Sequence, residues 1–379
     1  MKILFIIPNE KKIGGCEAYR MMYPARALEM LGVHCDVVST QEIASAIENK
    51  LNPLLEYDLV QFQRINVKSK EESRMLKVAL TAMRAHGVAI TVDYDDDYTN
   101  EFRDVREGDF PDFSMYNAVT VSTDYLAGRM QKLGAKTIKF KNAIVPELMD
   151  SSRYFRSIKG LSVGLTGSKS HETDWPPAER AILELIDEGL PITAFVSGYI
   201  PKSLKNKKNV VTLRDLVPGA DRDDFFIDLN SYGGLHANID ILLCPVNPDD
   251  KFNWSKSNLK AIEGFASKRN VNGKPGGSCV IATGGNLPVY EDAVIHEKTG
   301  LLIENHHSVE EWKHAIRKVA MNVEYRNKLQ IAGYQLCMKR FDVTKLAKDR
   351  LAAYQTLVSQ AKKDSGKWLA ELAHMEIKT

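Results

Sequence analysis

The sequence has no apolar run approaching the roughly 20 residues that a helix needs to span a bilayer. Its opening run, ILFII, is too short for the core of a signal peptide and is followed at once by PNEKK. The chain is therefore expected to be soluble, with any membrane role peripheral. Cysteine is scarce: Cys16, Cys35, Cys244, Cys279 and Cys337 are odd in number and scattered. They show no C-x-x-C spacing, which excludes a disulfide framework and a cysteine zinc site and fits a reducing cytoplasm. A bias of charge is also lacking, since 51 Lys and Arg face 49 Asp and Glu for a formal charge of +2. No whole-molecule field points to a polyanion, so such a partner would need a local patch. There is no long internal repeat and no complete G-x-G-x-x-G. His171, His296, His306 and His307 have no partners at metal-ligand spacing, so solvated or core roles are expected for them.

What is present is an ordinary globular composition, 44% hydrophobic and 26% charged, spread over 379 residues. That is more chain than one core usually supports, so two domains are expected. Short apolar runs alternate with amphipathic stretches: KILFII, then CEAYRMMYPARALEML; HCDVVS and DLVQF, then ESRMLKVALTAMRAH; VAITV, NAVTVS and TIKF. This alternation predicts a doubly wound parallel sheet. After turn-rich residues from about Pro146 to Lys159, read as a linker, the pattern restarts. LSVGLTGS, PITAFVS, NVVTL, DILLCPV, SCVIAT and GLLI are read as strands, with helices after DWPP, near DRDDFFIDLN and over SNLKAIEGFAS. From Ser308 onward the chain reads as helical.

Several strand ends carry chemistry. Gly14 and Gly15 precede a helix whose N-terminal amides would suit a phosphate or sugar oxygen; a flexible loop is the plain alternative. Gly167, Ser168 and Lys169 follow a strand in the same way, with Lys169 able to reach a pyrophosphate. In WSKSNLKAIEGFA, a continuous helix would put Lys256, Lys260 and Glu263 on one face, with Ser257 beside them. Lysines on phosphate and a carboxylate on ribose hydroxyls suit a nucleoside diphosphate-sugar, against the alternative of a solvated ion pair. The turn Gly285, Asn286 and Leu287 presents amides after another strand. VDYDDDY, residues 92–98, sets Asp93, Asp95 and Asp97 at alternate positions after a buried run. It is open to three readings: a metal clamp, an acceptor rim or a solvated turn.

Together these segments resemble the nucleotide-sugar-dependent glycosyltransferases of the GT-B fold, nearest to the retaining Glu-x7-Glu family (the group 1 or family 4-like transferases). The likeness is strongest from Ile239 to Glu304, over KSNLKAIEGFA, CVIATGGNLPVYEDAV and EKTGLLIEN. It is weaker over the Gly-Gly loop, AVTVSTDYLAGRM, KNAIVP and VGLTGSKSH. The resemblance implies an α/β molecule with two Rossmann-like doubly wound domains facing a cleft. Residues 1–150 would hold the acceptor and 160–340 the donor, with helices 341–379 crossing back onto the first domain. It implies a UDP- or GDP-sugar donor, retention, a leaving diphosphate stabilised without an essential metal, and a glycan or lipid-linked sugar as acceptor. Lys169, Lys256 and Glu263 would be the catalytic group, Glu263 holding the donor ribose. Gly14, Gly15, Gly167, Ser168, Ser257, Lys260, Gly285, Asn286 and Leu287 would complete the donor site, and Asp93 and Asp95 would bind acceptor hydroxyls. One departure stands out: eight residues before Glu263, where the family has its first glutamate, this chain has Ser255.

Three alternatives remain. The lysine-rich PKSLKNKK and SKRNVNGK would suit DNA and sugar transfer to a modified base. A metal-dependent Asp-x-Asp transferase would use VDYDDDY. A two-lobed binding protein would not be an enzyme.

Overall fold

The computed structural model describes residues 1–8, 14–43, 53–67, 69–97, 110–216 and 232–376. The expected helix near DRDDFFIDLN lies outside the described residues. The chain divides into two compact units: Met1–Ala143 with Val343–Thr379, and Ile144–Asp342.

In the first unit, β1 (Lys2–Ile7), β2 (His34–Ser39), β3 (Leu59–Gln63), β4 (Ala89–Tyr94), β5 (Ala118–Val121) and β6 (Thr137–Lys139) form one sheet. Its order is β2-β1-β3-β4-β5-β6 and every pairing is parallel. Parallel strands are covered on both faces, which is why they read as unbroken apolar runs. Val60, Ile90, Val92 and Val119 fill the core on one face, and Ile3, Phe5 and Leu59 the other, with Tyr354 from the helix Val343–Glu376. Ser69 caps the helix Lys70–Ala85 by accepting from the Glu72 amide, and Thr123 caps Asp124–Lys132 through the Leu126 amide.

The expected helix after β1 has a different form. It is α-helical over Gly15–Glu17, opens into a π turn over Ala18–Met22, and is α-helical again over Tyr23–Glu29. Pro24 has no N–H to donate back to Arg20, and a widened turn accommodates that missing bond.

The second unit repeats the plan. Strands β7 (Leu161–Gly167), β8 (Ile192–Gly198), β9 (Val210–Thr212) and β10 (Ile241–Cys244) precede a hairpin of β11 (Arg269–Val271) and β12 (Lys274–Gly276). Then come β13 (Cys279–Thr283) and β14 (Leu301–Ile303). The sheet order is β14-β13-β10-β7-β8-β9, again wholly parallel. The stretch read as a linker is fastened to this unit: Arg156 pairs with Asp240, and the amides of Ser157 and Ile158 donate to Asn238 Oδ1 at 2.9 and 3.2 Å. SKRNVNGK is the hairpin, turned at Asn272 and Gly273, whose φ angles of 51° and 78° suit a tight two-residue turn. Among the described residues, no helix is long and apolar enough to cross a membrane.

Candidate active site

In an open α/β sheet, ligands bind beyond the carboxyl ends of the strands, where the strand order reverses. In the second unit that point lies between β7 and β10, so the loops after Gly167 and Cys244 define it. Gly167 has φ +154°, and a Cβ there would stand 2.6 Å from the His171 ring and 3.1 Å from Lys260 Nζ. The loop therefore needs glycine to let these two groups close in.

His171 is the hub of what gathers there. Its Nδ1 lies 2.7 Å from Asp174 Oδ2, and its Nε2 lies 3.3 Å from Lys260 Nζ. Lys256 Nζ is 3.6 Å from the same Asp174 oxygen and 3.4 Å from His171 Nδ1. Asp174 Oδ1 accepts from the Asn247 amide at 2.9 Å and from Asn253 Nδ2 at 2.7 Å. Burial and the two ammonium groups push His171 down to about 3, so its ring is neutral. A neutral ring beside Asp174 carries its proton on Nδ1, which leaves Nε2 to accept from Lys260. Burial would raise Asp174, but the hydrogen bond from His171 and the Lys256 charge outweigh it and keep the carboxyl ionised. Burial pushes the Lys260 ammonium down to about 8. Lys256 and Lys260 thus converge on a neutral imidazole, with the carboxylates of Asp174 and Glu263 close by, and ammonium groups gathered at a sheet edge suit an anionic ligand.

The remaining expected donor residues fall into different environments. Glu263 is 5% exposed on the helix Leu259–Ala266, one turn from Lys260. The continuous helix expected to carry Lys256 with Lys260 and Glu263 is not formed, and Lys256 lies outside Leu259–Ala266. It follows the 3-10 turn Lys251–Ser255 with an extended ψ of 151°, because Asp250 caps that turn and Asn258 starts the helix anew. Its ammonium still converges on His171 from outside the helix. Ser257 is half-buried between them, and Ser168 and Lys169 are exposed at the end of β7. Gly285 has φ +66°, and a Cβ would strike the Glu304 carbonyl at 2.5 Å. Asn286 is exposed, but the Leu287 side chain is fully buried and its amide donates to Gly284 O at 3.4 Å. Ser255 is fully buried and donates to Phe252 O at 2.7 Å. Local sequence reading missed His171 and Asp174; the H-x-x-D spacing was their one signal.

At the corresponding edge of the first unit, each alternate aspartate of VDYDDDY meets an arginine. Asp93, 0% exposed, takes Arg20 in a bidentate pair at 2.9 and 2.7 Å, and Thr120 Oγ1 donates to it at 2.6 Å. Asp95 takes Arg64 at 3.0 and 2.9 Å, and Asp97 lies 3.5 Å from Arg129 Nε. Burial would raise Asp95, but the Arg64 charge outweighs it and holds the carboxyl down at about 2. Carboxylates neutralised in this way have little charge left for a divalent cation, and Asp93 has no surface left for an acceptor. Gly14 is half-buried and Gly15 exposed, and the Gly14 amide already donates to Glu17 Oε2 at 2.9 Å.

No family model and no curated protein matches this sequence. Solved structures do. HepE of Anabaena, in complex with UDP-glucose, superposes with a TM-score of 0.62 at 13% identity, covering 94% of this chain and all of that one. A glycosyltransferase from Rickettsia africae gives 0.60 at 14% identity, over 94% of this chain and 98% of that one. Sucrose-phosphate synthase from Thermosynechococcus elongatus gives 0.57 at 10% identity, over 95% and 100%. The chain has the GT-B fold. At these identities the likeness establishes architecture, and the chemistry rests on the residues above.

Proposed function

We propose that this chain is a glycosyltransferase that moves a sugar from a nucleoside diphosphate-sugar to an acceptor hydroxyl. The observation that carries the reading is the cluster of Lys256 and Lys260 around neutral His171 at the switch point of the second sheet, with Glu263 one turn along. In this reading Lys256, Lys260 and exposed Lys169 bind the diphosphate, and their charge stabilises it as it departs. Glu263 accepts from the ribose hydroxyls. Gly167, Ser168, Ser257, Gly285 and Asn286 line the donor. The second unit carries the donor and the first the acceptor.

With lysines on the leaving group, transfer proceeds without an essential metal. We assign retention, with the donor phosphate taking the acceptor proton. Four buried cysteines with no disulfide partner, Cys35, Cys244, Cys279 and Cys337, support a reducing cytoplasm. Of the two lysine-rich stretches, the hairpin commits Arg269 to Asp240 and Lys268 to Asp150, while PKSLKNKK keeps Lys202, Lys205, Lys207 and Lys208 exposed.

The test is release of UDP from UDP-glucose, and of GDP from GDP-mannose, with and without EDTA. Turnover that survives EDTA and is lost in Lys256→Ala upholds the reading. Turnover abolished by EDTA and by Asp95→Ala, but not by Lys256→Ala, refutes it.

A further inference from the structure

The apolar side chains that the second unit leaves outside its core gather at one end of its sheet. Among its described residues the large ones left exposed are Phe155, Met321 and Val323, at 90%, 66% and 53%. Phe155 sits beside Arg156, whose guanidinium is tied to Asp240 directly ahead of β10. Met321 ends the helix Val309–Met321, one turn past Lys318, which pairs with Glu297 just ahead of β14; Val323 opens the next helix, Val323–Arg340. All three therefore lie at the amino edge, the end of the strands opposite His171 and its lysines. Exposed apolar residues are ordinary when single, but a set of them on one side marks a contact surface.

Charge at the same edge leans one way. Lys159, Lys207, Lys208 and Lys298 stand exposed two or three residues ahead of β7, β9 and β14, and among the described residues none of them meets a carboxylate. The carboxylates there are mostly engaged: Asp240 by Arg156 and Arg269, Glu188 by Lys313 and Arg317, and Glu297 by Lys318. Asp187 and Glu324 remain, and the four lysines outnumber them. Lys207 and Lys208 also rim an open groove of about 350 Å³ lined by Leu183, Ile186 and Asp187. Two ammonium groups thus stand next to aliphatic side chains.

We propose that the amino edge of the second unit docks on an anionic lipid bilayer, with Phe155 and Met321 entering the headgroup layer and the lysines meeting the charged headgroups. Lysine lays its stem along hydrocarbon and keeps its ammonium among anions, so lysines interleaved with exposed apolar side chains match a lipid surface on both counts. A nucleic acid would match the lysines but offers nothing to Met321 and Val323, and the core of a protein interface is poor in lysine. The inference stands apart from the sugar-transfer reading. Contact at this end of the strands leaves the carboxyl edge, where Lys256 and Lys260 converge, uncovered.

The test is co-sedimentation of the full chain with phosphatidylcholine vesicles, with and without phosphatidylglycerol, at low and high salt. The wild type is expected to bind the vesicles that contain phosphatidylglycerol, to leave the neutral ones, and to be released by salt. Lys207→Gln with Lys208→Gln should lower partitioning about tenfold or more, and Phe155→Ser with Met321→Ser should lower it to a similar extent. These side chains are exposed, so both double variants keep the wild-type melting temperature and UDP-glucose binding. Absence of wild-type binding to the anionic vesicles overturns the proposal, whether the edge instead takes up duplex DNA or a second copy of the chain. Equal binding by the wild type and both double variants overturns it as well. Failure of the wild type to bind UDP-glucose would refute the transferase reading alone, and the vesicles would still decide this one.

Discussion

The two units carry charge clusters at equivalent sheet edges, and the clusters are balanced differently. In the first, Asp93, Asp95 and Asp97 each meet one arginine. In the second, Lys256 lies 3.6 Å from Asp174, and Lys260 meets the neutral His171 under the charges of Asp174 and Glu263. Direct arginine pairs answer these three carboxylates and hold the scaffold in place. Ammonium groups held by longer contacts beside a neutral ring can turn to a ligand, and burying them costs the protein alone, as the lowered Lys260 shows. A motif of ionisable residues therefore says little until its partners are counted.

Removing both lysines should give the largest effect. Charge-assisted hydrogen bonds contribute roughly 1.5–3 kcal/mol each, so Lys256→Ala with Lys260→Ala should weaken UDP-glucose binding about a hundredfold or more, as read by calorimetry. In the first unit the corresponding break falls on stability. Arg20→Met leaves Asp93 buried and unpaired and should cost about 3–5 kcal/mol in denaturant unfolding, while Arg20→Met with Asp93→Leu recovers most of it.

Lys260→Met sharpens the contrast, since it should stabilise the protein while impairing donor binding. The folded pKa of Lys260 lies below its ordinary value, so the folded protein bears the penalty of the buried charge fully below about pH 8. That penalty fades as pH rises toward the ordinary lysine pKa. The gain in melting temperature should therefore be greatest below pH 8. Donor affinity of the wild type should fall above pH 8, as the ammonium deprotonates, and in Lys260→Arg it should not. The smallest effect is expected at Lys362→Gln, whose exposed pairing to Asp58 at 2.8 Å should be worth under about 1 kcal/mol in thermal unfolding.

Much of the fold was legible because parallel strands buried on both faces must be apolar throughout. VAITV and DILLCPV became β4 and β10, and the helical region read from Ser308 begins where Ser308 accepts from the Glu311 amide. The site was legible only in part. Lys260 and Glu263 sit on one helix, so local periodicity found them. The partners of VDYDDDY come from afar: Arg20 is 73 residues from Asp93 and Arg64 is 31 from Asp95. Lys256 and Lys260 meet His171 across 85 and 89 residues. No local period encodes such pairings, and the aspartates read as ligands because their arginines were out of view. The turn at Lys256 was hidden too, since a short 3-10 stretch and a broken helix share the same polar residues.

The central claim is that the lysines of the second unit bind the donor while the arginine-clamped aspartates of the first do not. Calorimetric titration of UDP-glucose into wild type, Lys256→Ala and Asp97→Asn tests it directly. The account predicts binding by the wild type, unchanged affinity in Asp97→Asn and at least a tenfold loss in Lys256→Ala. Equal affinity in wild type and Lys256→Ala would contradict it.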